Sequence, residues 1–274
     1  MKLSQMRQIL SARGIQLTKS LGQHFLHDGN QLRRIVAAAE VGPGDRVLEI
    51  GPGLGPLTEL LVAAASQVLA LEKDLRLVAW LRERFAAEPR LQVRAVDALE
   101  YLRRTEADWS EWKLVANLPY CLASALLVEL AGAQSCPRLV VVTVQLEVAR
   151  RLLARPGVTD YGVLTLLVQA RYEPAGWFRI PANCFFPAPE VESACVCLKR
   201  RAAPLLRPDQ RVVFAQVVKK SFSQRRKMVH KLLKDDWAGE ELAGVLDRLG
   251  VPLEARAETL TLEQYVALTR SLAP

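Results

Sequence analysis

Short apolar runs recur between residues 47 and 198, and stretches with helical periodicity separate most of them. Runs of this length, bounded by polar or glycine residues, are typical of buried strands. Seven of them predict strands at 47–50, 68–71, 91–96, 114–116, 139–144, 163–168 and 194–198. Strands that alternate with helices favour a parallel sheet with both faces covered. We therefore predict an α/β fold with a Rossmann-like, seven-stranded sheet that ends in an antiparallel strand.

A glycine-rich loop follows the first predicted strand, in the sequence Val-Leu-Glu-Ile-Gly-Pro-Gly-Leu-Gly at 47–55. Glycines let the backbone turn tightly and approach a ligand that a Cβ atom would repel. Glu72 ends the next strand, 21 residues after Gly51, where an acid can accept hydrogen bonds from both hydroxyls of a ribose. The pattern predicts a site for a nucleoside-bearing cofactor, with Gly51, Gly53 and Glu72 as contacts.

The kind of cofactor is indicated by one departure from the dinucleotide-binding pattern and by one acidic residue. That pattern has a glycine at its sixth position, where this chain has Pro56, and the missing glycine normally permits close packing of helix on strand. Glu49, just before the loop, suits a ligand that carries positive charge. Both features favour S-adenosylmethionine, with its sulfonium and ammonium groups, over NAD. A nicotinamide dehydrogenase stays open as an alternative.

Polar residues stand at the carboxyl ends of further predicted strands. Asp97 ends the third strand and Asn117 ends the fourth, as Glu72 ends the second. Ligands of open α/β sheets lie across these ends, so we expect the three side chains to meet at one site. Asp97 is then the expected acceptor for the adenine amino group of the cofactor.

The tetrapeptide Asn117-Leu118-Pro119-Tyr120 is the most specific chemical motif. The exocyclic amine of adenine is a poor nucleophile because its lone pair is delocalised into the ring. The side-chain oxygen of Asn117 and the carbonyl of Leu118 would hold the amine hydrogens and free that lone pair, while Pro119 stiffens the loop. Tyr120 offers a face on which the extracted base can stack. The motif predicts methyl transfer to an adenine amine.

Composition and charge narrow the class of protein. The chain has 274 residues and a formal net charge of +8, which points to a polyanionic partner. Its five cysteines show no paired CxxC spacing, so we expect neither a metal site nor a disulfide framework. No apolar run reaches the roughly 18–20 residues of a membrane span. We expect a cytoplasmic monomer whose N-terminal stretch, up to Lys19, forms a basic arm.

These motifs, in this order, closely resemble the ribosomal RNA adenine dimethyltransferases. The resemblance covers the chain from Leu21 almost to its C-terminus and rests on the motifs at 22–26, 49–55, 117–120, 145–149, 160–162 and 185–193. It implies a class I methyltransferase sheet and S-adenosylmethionine contacts from His24, Leu26, Gly51, Glu72, Asp97 and Asn117. It also implies that Phe185 stacks on the target adenine opposite Tyr120. The family often has Asn where His24 stands, and Cys121 replaces a more usual polar or aromatic residue.

The C-terminal part resembles the bacterial small-subunit branch, through Ser-Phe-Ser-Gln-Arg-Arg-Lys at 221–227 and Arg-Ala-Glu-Thr-Leu at 256–260. That resemblance implies dimethylation of two adjacent adenines in a hairpin loop near the 3′ end of 16S rRNA. Residues 199–234 contain twelve Lys and Arg but a single acid, so we expect RNA contacts from Arg225, Arg226 and Lys227. We predict a methyltransferase domain at 1–200 and a small all-α RNA-binding domain at 201–274. The related large-subunit rRNA methyltransferase and a non-catalytic RNA-binding factor are the remaining alternatives.

Overall fold

The computed structural model describes residues 1–17 and 22–273, which form two compact units. The first unit comprises Met1–Ala149 and Pro174–Arg200, and the second comprises Arg150–Glu173 and Arg201–Pro274. The predicted division at residue 200 therefore has to be corrected for residues 150–173. They group with the C-terminal helices because Tyr161 and Leu166 are buried in the apolar core that those helices form.

The first unit alternates strands and helices in the predicted manner. Its strands are β1 (Phe25–Leu26), β2 (Arg46–Ile50), β3 (Gln67–Glu72), β4 (Leu91–Ala95), β5 (Trp112–Asn117), β6 (Leu139–Gln145), β7 (Tyr172–Ile180), β8 (Phe185–Phe186) and β9 (Ser193–Arg200). Its helices are α1 (Leu3–Ala12), α2 (Gly29–Ala38), α3 (Pro56–Ala64), α4 (Leu75–Arg84), α5 (Ala98–Arg104), α6 (Ala123–Gly132) and the start of α7 (Leu146–Leu153). The first two residues of β7 belong to the second unit.

Seven strands form the main sheet in the order β4-β3-β2-β5-β6-β9-β7. Strands β2 to β6 pair in parallel, and β9 runs antiparallel to β6 over seven residue pairs, from Leu139↔Lys199 to Gln145↔Ser193. The strand order reverses between β2 and β5, which is where ligands bind in open α/β sheets. The predicted fold class is confirmed, and β9 is antiparallel, but β9 lies between β6 and β7 and does not end the sheet.

One predicted strand was wrong. Residues 163–168 are the core of helix α8 (Val163–Gln169), and the seventh strand is β7, after that helix. A short apolar run does not by itself distinguish a strand from a buried helix. At its N-terminus the backbone N–H of Gly162 donates to Thr165 Oγ1, at 3.1 Å. The sequence pattern did not predict strand β7. This strand is exposed over Glu173–Trp177, and it contains Pro174 and Gly176, which are uncommon inside strands.

Aspartates cap the helices that start at the carboxyl edge of the sheet. Asp28, Asp74 and Asp97 each accept hydrogen bonds from backbone N–H groups in the first turn of α2, α4 and α5. Such caps contribute about 1 kcal/mol each. Helix α3 instead begins after the left-handed Gly55, with Pro56 at its first position. The sheet and helices α2 and α3 enclose a core that includes Ile35, Leu61 and Val141.

The described part of the expected basic arm contains a packed helix, α1. Met6 and Leu10 of α1, with Ile15, are buried against Phe25 and Leu54. Amphipathic spacing places these apolar residues on one side of α1 and leaves Lys2 and Arg7 exposed. Lys19, which the prediction included, lies outside the described residues.

The second unit is helical, as predicted for the C-terminal part. It contains α8, α9 (Gln210–Ser221), α10 (Val229–Leu233), α11 (Gly239–Arg248) and α12 (Leu262–Leu272). Phe214 and Tyr265 lie in its core, where the Tyr161 hydroxyl donates to the Leu260 carbonyl at 2.9 Å. No helix in the described part of the chain is both long and apolar enough to cross a bilayer.

Candidate active site

A cavity opens at the carboxyl ends of the parallel strands of the first unit. Its lining includes most of the predicted site residues, namely His24, Gly51, Gly53, Glu72, Asp97, Asn117, Leu118 and Pro119. The three predicted residues Leu26, Tyr120 and Phe185 are not part of this lining. Four strand ends therefore supply one site, as parallel topology predicted.

The glycine loop after β2 is shaped by close approach on two sides. Gly51 and Gly53 both have left-handed backbone angles, with φ of 70° and 60°. A Cβ atom on Gly53 would lie 2.6 Å from the Phe25 ring, and one on Gly51 would lie 3.2 Å from Cδ of Pro119. A side chain would therefore clash at Gly53 and be strained at Gly51, and Gly51 brings the loop against Pro119 of the tetrapeptide.

Glu72, at the end of β3, is buried and accepts three backbone hydrogen bonds. One carboxylate oxygen accepts from the N–H groups of Lys73 and Asp74, both at 2.9 Å, and the other accepts from Gly53 N–H at 3.2 Å. Burial raises the pKa of Glu72 above its usual value, while these three bonds act in the opposite direction. The carboxylate thus ties the glycine loop to the start of α4.

Asp97, at the start of α5, is held as a carboxylate. Its Oδ1 caps the helix by accepting from Leu99 and Glu100 N–H, and its Oδ2 accepts from Lys73 Nζ at 2.9 Å. The hydrogen bond from Lys73 is the main cause that lowers the pKa of Asp97. Lys73 also lines the cavity, which sequence reasoning did not predict.

Asn117 ends β5 with its carboxamide fixed in one orientation. Its Nδ2 donates to the backbone carbonyl of His24 at 2.8 Å. Its Oδ1 is buried and has no hydrogen-bond partner. The amide of this cavity-lining residue therefore keeps one buried acceptor unpaired. Next to it, Leu118 N–H donates to the Thr143 carbonyl of β6 at 3.2 Å, which fixes the tetrapeptide on the sheet.

Tyr120 is held from two sides by residues outside the tetrapeptide. Its hydroxyl lies 2.5 Å from Oγ of the buried Ser193. The His24 imidazole stacks on its ring, with centroids 5.2 Å apart and an interplanar angle of 22°. His24 Nδ1 in turn lies 2.8 Å from the carbonyl oxygen of Pro187. The segment with His24, the tetrapeptide and the segment from Pro187 to Ser193 are thereby joined.

Leu26 and Phe185 are absent from the cavity lining. They are register partners in the two-stranded sheet of β1 and β8. Phe185 is 3% exposed and packs in the core with Leu32 and Ile35 of α2. In this structure it offers no exposed face, so the stacking role assigned to it stays a prediction.

A family model described as ribosomal RNA adenine dimethylase matches residues 14–273. The chain belongs to this family. Membership makes it an rRNA methyltransferase and confirms the predicted family. It also removes the reason for the nicotinamide dehydrogenase alternative.

Curated relatives of the dimethylase family extend over nearly the whole chain. The ribosomal RNA small subunit methyltransferase A of Pelotomaculum thermopropionicum is 40% identical over 97% of this chain and 94% of its own. The protein of the same name from Moorella thermoacetica is 38% identical over 96% of this chain and 95% of its own. Both resemble the present chain from its sheet to its C-terminal helices.

Solved structures of related enzymes have the same fold. A 23S rRNA methyltransferase, ErmE, is 30% identical and superimposes with a TM-score of 0.68, covering 90% of this chain and 99% of its own. A dimethyladenosine transferase from Plasmodium falciparum is 24% identical with a TM-score of 0.74, covering 89% and 95%. The second likeness bears on the fold alone.

Cys121 and Glu49 are two further residues that the sequence analysis singled out. Cys121 is exposed and lines the cavity, but nothing in the structure explains its choice over other residues. Glu49 is fully buried under the loop and accepts a hydrogen bond from Thr58 at 2.7 Å. Burial raises the pKa of Glu49 to about 8. Glu49 is absent from the cavity lining. Its observed role is to hold the start of α3, and its expected interaction with a positively charged ligand stays untested.

The predicted RNA contacts lie in the second unit, in the connection between α9 and α10. Arg225, Arg226 and Lys227 are all exposed there. The guanidinium of Arg225 donates to the carbonyls of Thr159 and Tyr161, at 2.7 and 3.3 Å. Arg225 therefore also holds the loop before α8. Across residues 1–17 and 22–273, no group of three or more metal-ligating side chains is gathered in one place.

Proposed function

We propose that this enzyme transfers methyl groups from S-adenosylmethionine to the N6 atoms of two adjacent adenosines in the 3′-terminal hairpin loop of 16S rRNA. The product at each position is N6,N6-dimethyladenosine, formed during assembly of the small subunit. The protein acts as a monomer in the cytoplasm. The second unit, with Arg226 and Lys227, binds the RNA of the particle.

The observation that carries the proposal is the free oxygen of Asn117. Because Nδ2 is committed to the His24 carbonyl, Oδ1 is left as a buried acceptor without a donor. An unpaired buried acceptor costs about 1–3 kcal/mol. An amine hydrogen of the target adenine offsets that cost and is held at the same time, which draws the nitrogen lone pair away from the ring.

The remaining residues of the tetrapeptide position the base. Pro119 packs against Gly51 and stiffens the chain that presents the Leu118 carbonyl, the expected second acceptor. Tyr120 supplies a ring for stacking, worth about 1–3 kcal/mol per base. No strong general base is required, because the amine becomes acidic once it is methylated. Most of the acceleration then comes from alignment of the nitrogen with the methyl donor.

The glycine loop and the acids of the cavity suit S-adenosylmethionine. Gly51 and Gly53 line the cavity, where the lack of a side chain lets a ligand approach the backbone of the glycine loop. Glu72 would accept from the ribose and Asp97 from the adenine amine. When bound, S-adenosylmethionine supplies an electrophilic sulfonium methyl group. This is the chemistry that a held adenine amine requires.

The choice of 16S rRNA rests on the relatives and on charge. The relatives at 38–40% identity are named as small-subunit enzymes, whereas the 23S enzyme is 30% identical. Residues 199–234 contain twelve basic residues and one acid, which favours contacts to phosphates. A large-subunit substrate is the second candidate, and the same experiment tests it.

The test is transfer of tritiated methyl groups to small subunits that lack these modifications, with large subunits lacking theirs as the control. Labelled bases are then mapped, and the nucleosides are separated. We expect label in N6,N6-dimethyladenosine at two adjacent positions near the 3′ end of 16S rRNA. Label confined to 23S rRNA would transfer the assignment to the large subunit. No label in either particle would contradict the proposed function.

A further inference from the structure

The tyrosine of the tetrapeptide depends on a residue that lies 73 positions away in the chain. Tyr120 stands in the loop after β5, and its hydroxyl forms a 2.5 Å hydrogen bond with Ser193 Oγ. We propose that Ser193 is a positioning residue for methyl transfer, which fixes the ring of Tyr120 through its hydroxyl. The inference rests on the proposed function and assigns a role to a hydroxyl that base stacking alone does not need.

Ser193 is suited to this role because it is part of the rigid sheet. It is fully buried and begins β9, where it pairs with Gln145 of β6. The backbone just before it is also tied down, since Leu146 N–H donates to the Glu192 carbonyl at 2.9 Å. A loop residue bonded to such a strand loses most of its freedom. The ring of Tyr120 is therefore held at the end opposite to its backbone.

The second restraint on the ring comes from His24. Its imidazole covers one face of Tyr120 and is itself placed by the Pro187 carbonyl. A target base can therefore stack only on the opposite face. With the hydroxyl bonded and one face covered, rotation of the ring about both side-chain torsions is restricted. Burial also raises the pKa of Tyr120 above its ordinary value, so the hydroxyl keeps its proton.

The consequence for the reaction differs between the two methyl transfers. An unmodified adenine amine has two hydrogens for the acceptors at Asn117 and Leu118. After the first transfer only one hydrogen is left, so fewer hydrogen bonds hold the nitrogen. The second transfer then depends more strongly on stacking, and hence on the position of the Tyr120 ring. Loss of the Ser193 contact should impair the second methylation more than the first.

The experiment removes the hydrogen bond between Tyr120 and Ser193 by replacing either partner. Ser193→Ala, Tyr120→Phe and the double variant are compared with wild type on unmethylated small subunits, at saturating S-adenosylmethionine. We expect each single variant to lower kcat about tenfold, the kind of loss that slight misplacement of reacting groups produces. The monomethyl fraction of the product should rise, and the Kd for S-adenosylmethionine should stay within about twofold of wild type. The double variant should be no worse than either single one, because both remove the same contact.

Ser221→Ala is the matched control. Ser221 is also fully buried and donates its hydroxyl to the Val217 carbonyl at 2.7 Å, within helix α9 of the second unit. It should show a similar change in melting temperature without a change in the ratio of monomethyl to dimethyl product. If Ser193→Ala does not fold, Tyr120→Phe still tests the role of the Tyr120 hydroxyl.

The possible failures are distinguishable. Wild type without dimethyladenosine would contradict the proposed function itself. An active wild type with Tyr120→Phe unchanged in kcat and in product ratio would overturn the role of Ser193 alone. Single-variant losses that multiply in the double variant would also overturn it, since the two groups would then act independently.

Discussion

Replacing Glu72 by Ala tests the proposed cofactor site most directly, because the structure shows how many hydrogen bonds the Glu72 carboxylate already accepts. A carboxylate has about four lone-pair positions. Three are occupied by the N–H groups of Gly53, Lys73 and Asp74. About one position is left for a ribose hydroxyl, and a second hydroxyl would have to displace the longest of these bonds, at 3.2 Å to Gly53.

The expected loss follows from that count. One hydrogen bond to a charged group contributes about 1.5–3 kcal/mol, so the Kd for S-adenosylmethionine should rise about 10- to 150-fold. Glu72→Gln should also bind more weakly, because donors face both carboxylate oxygens and the amide NH₂ would meet one of them. Ala removes a buried charge but leaves the N–H groups of Gly53, Lys73 and Asp74 without their acceptor, so we also expect some loss of stability.

Isothermal titration calorimetry with S-adenosylmethionine and S-adenosylhomocysteine measures the effect. Glu111→Ala, which removes an exposed carboxylate from the same unit, is the control and should bind as wild type does. Circular dichroism melts establish that each variant is folded. A folded Glu72→Ala protein with a Kd within twofold of wild type would refute the assignment of Glu72 to the ribose.

Three further predictions concern other parts of the molecule. Asn117→Ala should leave S-adenosylmethionine binding within about threefold but cut single-turnover methyl transfer at least about 100-fold; a rate within a few-fold of wild type would contradict the role of its oxygen. Glu49→Gln should flatten the pH dependence of unfolding measured with urea. The raised pKa of Glu49, about 8, makes the unfolding free energy of the wild type fall as pH rises from about 4.5 to 8. Equal slopes of unfolding free energy against pH in wild type and Glu49→Gln would contradict this raised pKa. Reversing Arg226 and Lys227 to Glu should weaken filter binding of small subunits and lower its salt slope by about 1.5–2 units; an unchanged slope would exclude phosphate contacts there.

Much of the candidate site was predictable because it depends on local pattern and on one rule of topology. A strand followed by Gly51, and strands ending at Glu72, Asp97 and Asn117, are each visible in short windows of sequence. Parallel pairing of β2 with β3 and β5 then brings the ends together without further information. The observed cavity lining contains all four residues.

Features that depend on distant or edge elements were not predictable in this way. Strand β7 contains Pro174 and Gly176 and is exposed over five consecutive residues, so it has no alternating pattern. The apolar run of α8 was mistaken for a strand because its partners are helices that come more than 40 residues later. The bond between Tyr120 and Ser193 joins two motifs that were both visible, but sequence does not say which of their side chains meet.

The geometry of Asn117 favours the proposed catalytic site over a retained fold that only binds RNA. If the amide were reversed, its oxygen would face the His24 carbonyl and its NH₂ would lose that acceptor, so the observed orientation is the favourable one. That orientation leaves Oδ1 buried and unpaired, at a cost of about 1–3 kcal/mol to the ligand-free protein. Docking through phosphates offers nothing to offset this cost, since phosphate oxygens are acceptors like Oδ1 itself. A donor such as an adenine amine removes it, and the same hydrogen bond prepares that amine for methylation. The unpaired oxygen is thus better explained by the reaction than by RNA binding alone.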